Sequence, residues 1–316
     1  MTMPSDVHVI VGAGPVGASL AGRLARDGHR VRVLTRSGHD LGLPGVESVA
    51  VDASEESALS DCAKGAAVLY NCANPGAYPL WEKRWPPLAT AILHAAERTG
   101  AVLVTASNLY GYGPPDAPMV RQTPLRPSDH KGVLRAHMWT EALAMHEAGR
   151  VRATEARASD YIGPTLPTGN GLLPRYADAT LSGRTATVFA DPDQPHSWTA
   201  VDDVADTLAA LGRDERAWGS AWIVPSNPPS TVREVLRSLA EQIGADAPRM
   251  RQIPRWLLRA GGLGIPMLCE VDGILYQFDA PFIADGSETA ELFGVTPSPW
   301  EPLLAETARA WAERAR

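Results

Sequence analysis

The sequence is poor in several things that would commit it to a class. It holds only three cysteines, Cys62, Cys72 and Cys269. An odd, widely spaced set excludes a disulfide framework and a zinc ribbon, and a reducing cytoplasm is the expected home. Neither Cys-x-x-Cys nor His-Glu-x-x-His occurs, so no metal ligands sit at close spacing and no metal is expected. Basic residues are in the minority, 29 Lys and Arg against 36 Asp and Glu, for a net charge of −7. Without a basic run, binding of nucleic acid by phosphate neutralisation is excluded. The longest uncharged stretches, around 7–22, 65–81 and 99–115, are broken by Gly, Pro, Asn and Ser, and none reads as a membrane span. The short stretch before the first strand-like run leaves no signal peptide to be expected. A Gly-x-Ser-x-Gly elbow and a Walker loop are also lacking, which removes two common nucleophile and phosphate signatures.

What the chain has in quantity is glycine and proline, 28 and 27 of 316 residues. They fall singly or in pairs between periodic segments, so they mark loops and not low complexity. With 45% apolar residues there is ample material for a packed core.

Val7 to Val11 is a nearly all-apolar run, the pattern of a strand buried on both faces of a parallel sheet. Gly12-Ala13-Gly14-Pro15-Val16-Gly17 follows at once. Val16, Leu20 and Leu24 then recur at helical spacing until Gly28, and Arg30 to Thr35 reads as the next strand. Strand, glycine turn, helix and strand in about thirty residues is the βαβ unit of a dinucleotide fold. Gly12 permits a tight bend, Gly14 lets the backbone approach a pyrophosphate, and Gly17 lets helix and strand pack closely. Further strands are predicted at 47–51, 67–70, 101–105 and 151–157. Helices are predicted at 88–98, starting behind Pro86-Pro87, and at 132–148. The fold class is therefore α/β, a Rossmann-type doubly wound parallel sheet over 1–164. A smaller substrate-binding part is expected over 165–316, interleaved with the sheet around 198–225 and covering the crevice at the strand C-termini. Loops at 111–118 and 163–174 are expected to form its lips. At the end of the second strand stand Thr35-Arg36-Ser37, a guanidinium with two hydroxyl neighbours, where an NAD-type site would place an acid. That composition favours NADP(H) over NAD(H). Asp52 and Ala73, after the next strands, complete the expected cofactor contacts.

Ser107-Asn108-Leu109-Tyr110-Gly111, Arg157-Ala158-Ser159-Asp160-Tyr161-Ile162-Gly163-Pro164 and Trp198-Thr199-Ala200-Val201-Asp202-Asp203-Val204-Ala205 make the chain resemble the extended short-chain dehydrogenase/reductase superfamily, NAD-dependent epimerase/dehydratase group. The likeness runs over nearly the whole chain, in order. It implies a Ser or Thr four residues before the motif tyrosine Tyr110, and Ala106 stands there instead, beside Ser107 and Asn108. About 25 residues further on, the resemblance implies Tyr-x-x-x-Lys. The chain has Lys131-x-x-x-Arg135. Residues i and i+4 share a helix face, so both can address the crevice, and a lysine there can serve as general acid or base. Superfamily members similar to isoflavone reductase use lysine in this way. Where nucleotide-sugar members carry Arg-Asp before an aromatic, this sequence has His196-Ser197-Trp198. With no arginine for a diphosphate, a small non-nucleotide substrate is expected.

Tyr78, Trp81, Trp85, Tyr112, His196 and Trp198 are the expected pocket walls, since aromatic side chains give flat apolar surfaces with a polar edge. Ser107, Asn108 and Tyr110 would orient the substrate, Lys131 donate the proton and Arg135 hold cofactor. The leading function is an NADP(H)-dependent oxidoreductase acting on a small carbonyl, enone or imine. Two alternatives keep the fold: a non-catalytic NADP(H)-binding redox sensor, and a redox-neutral epimerase, isomerase or cyclase. The resemblance also implies a homodimer through the helices near 82–98 and 132–148.

Overall fold

The computed structural model describes residues 7–167, 171–262 and 264–315, so residues 168–170 of the expected crevice loop lie outside the described residues. Its central sheet has seven strands, β1 (Val7–Val11), β2 (Arg30–Thr35), β3 (Val46–Ala50), β4 (Ala66–Asn71), β5 (Val102–Asn108), β6 (Arg152–Ala158) and β7 (Ala221–Ile223). They run in the order β7-β6-β5-β4-β1-β2-β3, with every pairing parallel. The order reverses direction between β1 and β4, and a crevice at the carboxyl ends of the strands opens there.

Period-two alternation divides each strand between two cores. Ile10, Val31, Val33, Val68, Tyr70, Val102 and Val104 pack on one face with α1 (Pro15–Arg26) and, later in the chain, a helix at Val201–Arg213. Val9, Val11, Leu34, Leu69 and Leu103 pack on the other face with α2 (Glu56–Cys62) and α3 (Trp81–Thr99), and α4 (His130–Glu147) lies beside α3. The helix Val201–Arg213, α5, lies along α1. Both sheet faces are thus covered, which is why the strands read as apolar runs.

A separate core gathers around Trp198, Leu236, Leu239, Leu304 and Trp311. It is built from α6 (Val232–Gln242), α7 (Arg255–Gly262), α8 (Pro266–Ile274) and α9 (Trp300–Arg314), with two short parallel strand pairs. A full capping box starts α6: Thr231 accepts from the Glu234 N–H, and Glu234 from that of Thr231, as the Thr-x-x-Glu spacing allows. Among the described residues no helix is long and apolar enough to cross a membrane.

One element departs from the sequence pattern. The helix expected to begin behind Pro86-Pro87 starts at Trp81 and runs through both prolines. Each proline forgoes a main-chain bond. Trp81 and Trp85 lie one turn apart on the same face, are buried, and meet edge-on with ring centres 6.0 Å apart. Two buried indoles, each worth about 1.5–3 kcal/mol or more, outweigh the lost bonds. Trp81 Nε1 donating to Gly76 O and Arg84 Nη1 donating to Pro75 O pin the preceding turn.

Asp203, in the first turn of α5, accepts hydrogen bonds from Ser298 N and Oγ and so ties the Rossmann layer to the approach to α9. Burial pushes its carboxyl up to about 6, against the lowering effect of the Ser298 donors. A carboxyl that binds its proton more tightly when folded stabilises the fold below its ordinary range and loses that contribution as pH rises through about 6. Urea midpoints measured from pH 4 to 7 are expected to fall less steeply in Asp203→Asn than in the parent. Equal slopes would remove Asp203 as the cause.

Candidate active site

The turn between β1 and α1 is sterically closed on two sides and open on the third. Gly12 has φ +101°, and a Cβ there would stand 2.7 Å from Cys72 O. A Cβ on Gly17 would stand 2.0 Å from Gly12 O, whereas one on Gly14 would meet nothing within 4 Å. Helix α1 starts at Pro15 with no side-chain cap, so the first-turn N–H groups of Val16 and Gly17 have no intrahelical acceptor. An open side at Gly14 facing uncapped N–H groups fits a dinucleotide pyrophosphate. Thr35 Oγ1 accepts from Gly38 N and shapes the turn after β2, which leaves Arg36 exposed. Asp52 accepts from Ser54 Oγ and N; these bonds, with a smaller share from Arg36, hold its carboxyl below the usual range. Ala73 N donates to Asn71 Oδ1 at 3.3 Å just past β4. Cys72 beside it is half-buried and packs against the sheet core, and the surrounding protein pushes its thiol up to about 12.

Helix α4 is started by Asp129, whose Oδ1 accepts from Gly132 N at 2.7 Å. Gly132 is required by closeness, since a Cβ there would lie 2.5 Å from Tyr110 O. The first two turns carry the two cations, Lys131 and Arg135. Lys131 is 1% exposed; its Nζ donates to Glu270 Oε2 at 2.7 Å, lies 3.5 Å from Asp129 Oδ2 and sits 5.5 Å from the Tyr78 ring centre. Glu270 belongs to α8 and also meets His130 Nε2 at 3.1 Å. Arg135 is buried over the rings of Trp85 and Trp81, at 4.9 and 6.0 Å. Its Nη2 donates to Ala106 O at 3.1 Å, while Nε and Nη1 have no partner. Burial pushes this guanidinium down, opposed by Glu155, Tyr161 and Tyr110. The pair shares a helix face, but the heads diverge: Lys131 toward α8, Arg135 under the end of β5. Two orphaned N–H groups on a buried arginine fit the hydroxyls of a cofactor ribose.

Tyr78 and Tyr110 join hydroxyl to hydroxyl at 2.8 Å, and Trp81 stacks on Tyr110 at 6.3 Å. Burial pushes the Tyr78 phenol up to about 12 and that of Tyr110 well above its ordinary value. Ser107 is buried near the end of β5, and Asn108 Oδ1 accepts from Tyr110 N.

Residues 8–221 match the sequence model of the NAD dependent epimerase/dehydratase family. The chain belongs to the NAD-dependent epimerase/dehydratase family. Solved structures carry the same fold. An epimerase of Methanothermobacter thermautotrophicus is 20% identical, with TM-score 0.79 over 98% of this chain and 93% of that one. A UDP-glucose 4-epimerase of Thermotoga maritima, solved with UDP-glucose, is 15% identical, with TM-score 0.79 over 98% and 100%. A dTDP-glucose 4,6-dehydratase of Streptomyces venezuelae, solved with NAD, is 19% identical, with TM-score 0.78 over 97% of each chain. A search of curated proteins finds no match.

Within this family fold, five of the expected aromatic walls are buried, Trp81 at the site and four others in the cores. Trp85 lies beneath Trp81 and Arg135. Tyr112 packs with Leu109, Met119, Ile223 and Phe282 under the Arg157 guanidinium. Trp198 sits in the second core with Nε1 donating to Ser230 O. His196 is 1% exposed, held between Phe278 and Phe282. Trp85 stands on α3, Trp198 in a short strand and Tyr112 in a single turn of helix, and large apolar rings turn inward where neighbouring strands and helices supply a core. Tyr78, Trp81 and Tyr110 do come together with Lys131. Two members of the cluster were missed. Glu270 is 139 residues from Lys131, and no local pattern links them. Asp160 was visible only as part of a motif; a carboxylate at the end of a parallel strand, after β6, was the available signal. Among the described residues no group of three or more His, Cys, Asp or Glu side chains could hold a metal ion.

Proposed function

We propose that the protein is an NAD(P)-dependent oxidoreductase, favouring NADP(H), that acts on a small non-nucleotide carbonyl, enone or imine. The observation that carries this reading is the convergence of Lys131 Nζ and the Tyr78–Tyr110 hydroxyl pair one helical turn from Arg135, whose Nε and Nη1 stand unpaired. A bound reduced nicotinamide would supply hydride. Val16 and Gly17 N–H groups would hold the pyrophosphate, Arg135 the ribose, and Arg36 with Thr35 the 2′-phosphate. Lys131 would deliver the proton to the substrate heteroatom, with Glu270 and Asp129 balancing its charge. The Tyr78 ring, 5.5 Å from the Lys131 nitrogen, would help to keep water from it. Buried His196, where a diphosphate-binding arginine would be expected, supports a substrate without a nucleotide. A second reading, an NADP(H)-binding sensor, is favoured by one observation: Lys131 is closed over by α8 and fully ion-paired.

Titration with NADPH and NADH, followed by a screen of carbonyls, enones and imines for NADPH oxidation, separates the two. Tight binding with no turnover of any compound would favour the sensor. Arg36→Ala tests the cofactor preference. A lost charge-assisted contact of about 1.5–3 kcal/mol predicts NADPH binding weakened roughly tenfold to a hundredfold, with NADH changed less than about twofold. Equal weakening of both would sink the 2′-phosphate assignment.

A further inference from the structure

Just past the carboxyl end of β6, Asp160 stands with its side chain 26% exposed, while His196 behind it is 1% exposed. The ring nitrogens of His196 both face acceptors: Nδ1 lies 3.1 Å from the main-chain carbonyl of Gln277, and Nε2 lies 3.0 Å from Asp160 Oδ2. A carbonyl cannot donate, so Nδ1 carries a hydrogen. A contact between Nε2 and a carboxylate oxygen also needs a proton between them, whether ring or acid holds it. The pair therefore stores one transferable proton. Its inner end is sealed by Phe278, Phe282 and Trp198 against the ring, and Ser159 Oγ at 3.4 Å is the other side-chain group at Nε2. Its outer end is the partly exposed Asp160 carboxylate, which stands just past the carboxyl end of β6 where the crevice opens; burial first, and the Asp160 charge as a smaller cause, raise the phenols of Tyr78, Tyr110 and Tyr276 and that of its strand neighbour Tyr161. The same two phenols, Tyr78 and Tyr110, form the hydroxyl pair beside Lys131.

We propose that Asp160 is a second catalytic proton-transfer group of this site, with His196 as the positioning residue that holds its proton. The proposal rests on the oxidoreductase reading. In the reductive direction the substrate gains a hydride at carbon from the reduced nicotinamide, which is oxidised, and one proton at a second atom. Asp160 gives up that proton, the bond forming at the substrate as the Nε2–H–Oδ2 bridge loses it, and solvent recharges the pair. Oxidation runs the same proton in reverse. With an enone the roles of the two groups divide: Lys131 lends a proton to the oxygen as hydride arrives and takes it back as Asp160 protonates the α-carbon, so the net gain is one hydride and one proton.

The test compares the parent, Asp160→Asn and His196→Gln as full chains. Nitrogen-15 NMR of labelled histidine, with NADP+ bound, reads the stored proton without any substrate. In the parent the His196 Nε2 signal should be that of a nitrogen sharing a proton with Asp160, and in Asp160→Asn it should move away from that position. An Nε2 signal unchanged in Asp160→Asn overturns the proposal. On whichever substrate the NADPH screen yields, Asp160→Asn should lower kcat about a hundredfold with NADPH affinity within twofold of the parent. His196→Gln should shift a limb of the kcat–pH profile while leaving KM near its parent value, which a merely structural histidine would not do. Full activity in Asp160→Asn overturns the proposal as well. Absence of NADPH binding, or of turnover across the screen, would instead strike the oxidoreductase reading, and the NMR arm would then decide the proton pair alone.

Discussion

Gly17→Ala is expected to remove dinucleotide binding and to lower stability by about 3 kcal/mol or more. The added methyl would stand 2.0 Å from Gly12 O, a main-chain atom with no rotamer to escape into. Gly12 cannot retreat either, because its own carbon faces the carbonyl of Cys72 at the end of β4, where a Cβ would come within 2.7 Å. The clash must therefore move β1, α1 or both, in the middle of the sheet. Gly14→Ala is the matching control: its methyl points into open space, where the pyrophosphate would lie. That variant should keep the parent's urea midpoint and still lose NADPH affinity at least tenfold. Equal stability and equal binding in Gly17→Ala would refute the close packing of this turn. A Gly14→Ala protein that binds NADPH normally would place the phosphates elsewhere.

The contrast between these glycines shows what was legible in the sequence. The turn and its strand and helix are local, so spacing alone sets them, and β1, α1 and β2 fall where periodicity puts them. The pair Lys131 and Arg135 is also local, and its shared face follows from one helical turn. What each cation meets is not local. Arg135 reaches Ala106 O across 29 residues of chain and, farther off, the indoles of α3, and Lys131 reaches Glu270 across 139. The start of α3 shows the same limit: two prolines are a local stop signal, and tertiary burial of Trp81 and Trp85 overrides it. The inward turn of Trp85, Tyr112, Trp198 and His196 has the same cause, since a place in the sequence says little about whether a ring turns to the crevice or to a core.

Replacing Lys131 by methionine should lower kcat by about 10²–10⁴, the span of general-acid catalysis, with NADPH affinity little changed. The substitution also has a structural cost that must be separated from the chemical one. Lys131 is the cation between Glu270 and Asp129, and Asp129 Oδ2 is buried with no hydrogen-bond donor. Breaking a buried ion pair from one side costs about 3–5 kcal/mol, because the partner charge stays behind. Lys131→Met alone is thus expected to unfold at lower urea than the parent, and low activity in it would prove nothing about catalysis. Adding Glu270→Gln removes the nearer of the two stranded charges, leaving that of Asp129, and should recover part of the midpoint. If activity returned with stability in the double variant, Lys131 would be a structural cation and Asp160 the leading candidate for the proton. If stability returned while kcat stayed at the single variant's level, the lysine would be the group that moves the proton, and Glu270 its counter-ion on the covering helix.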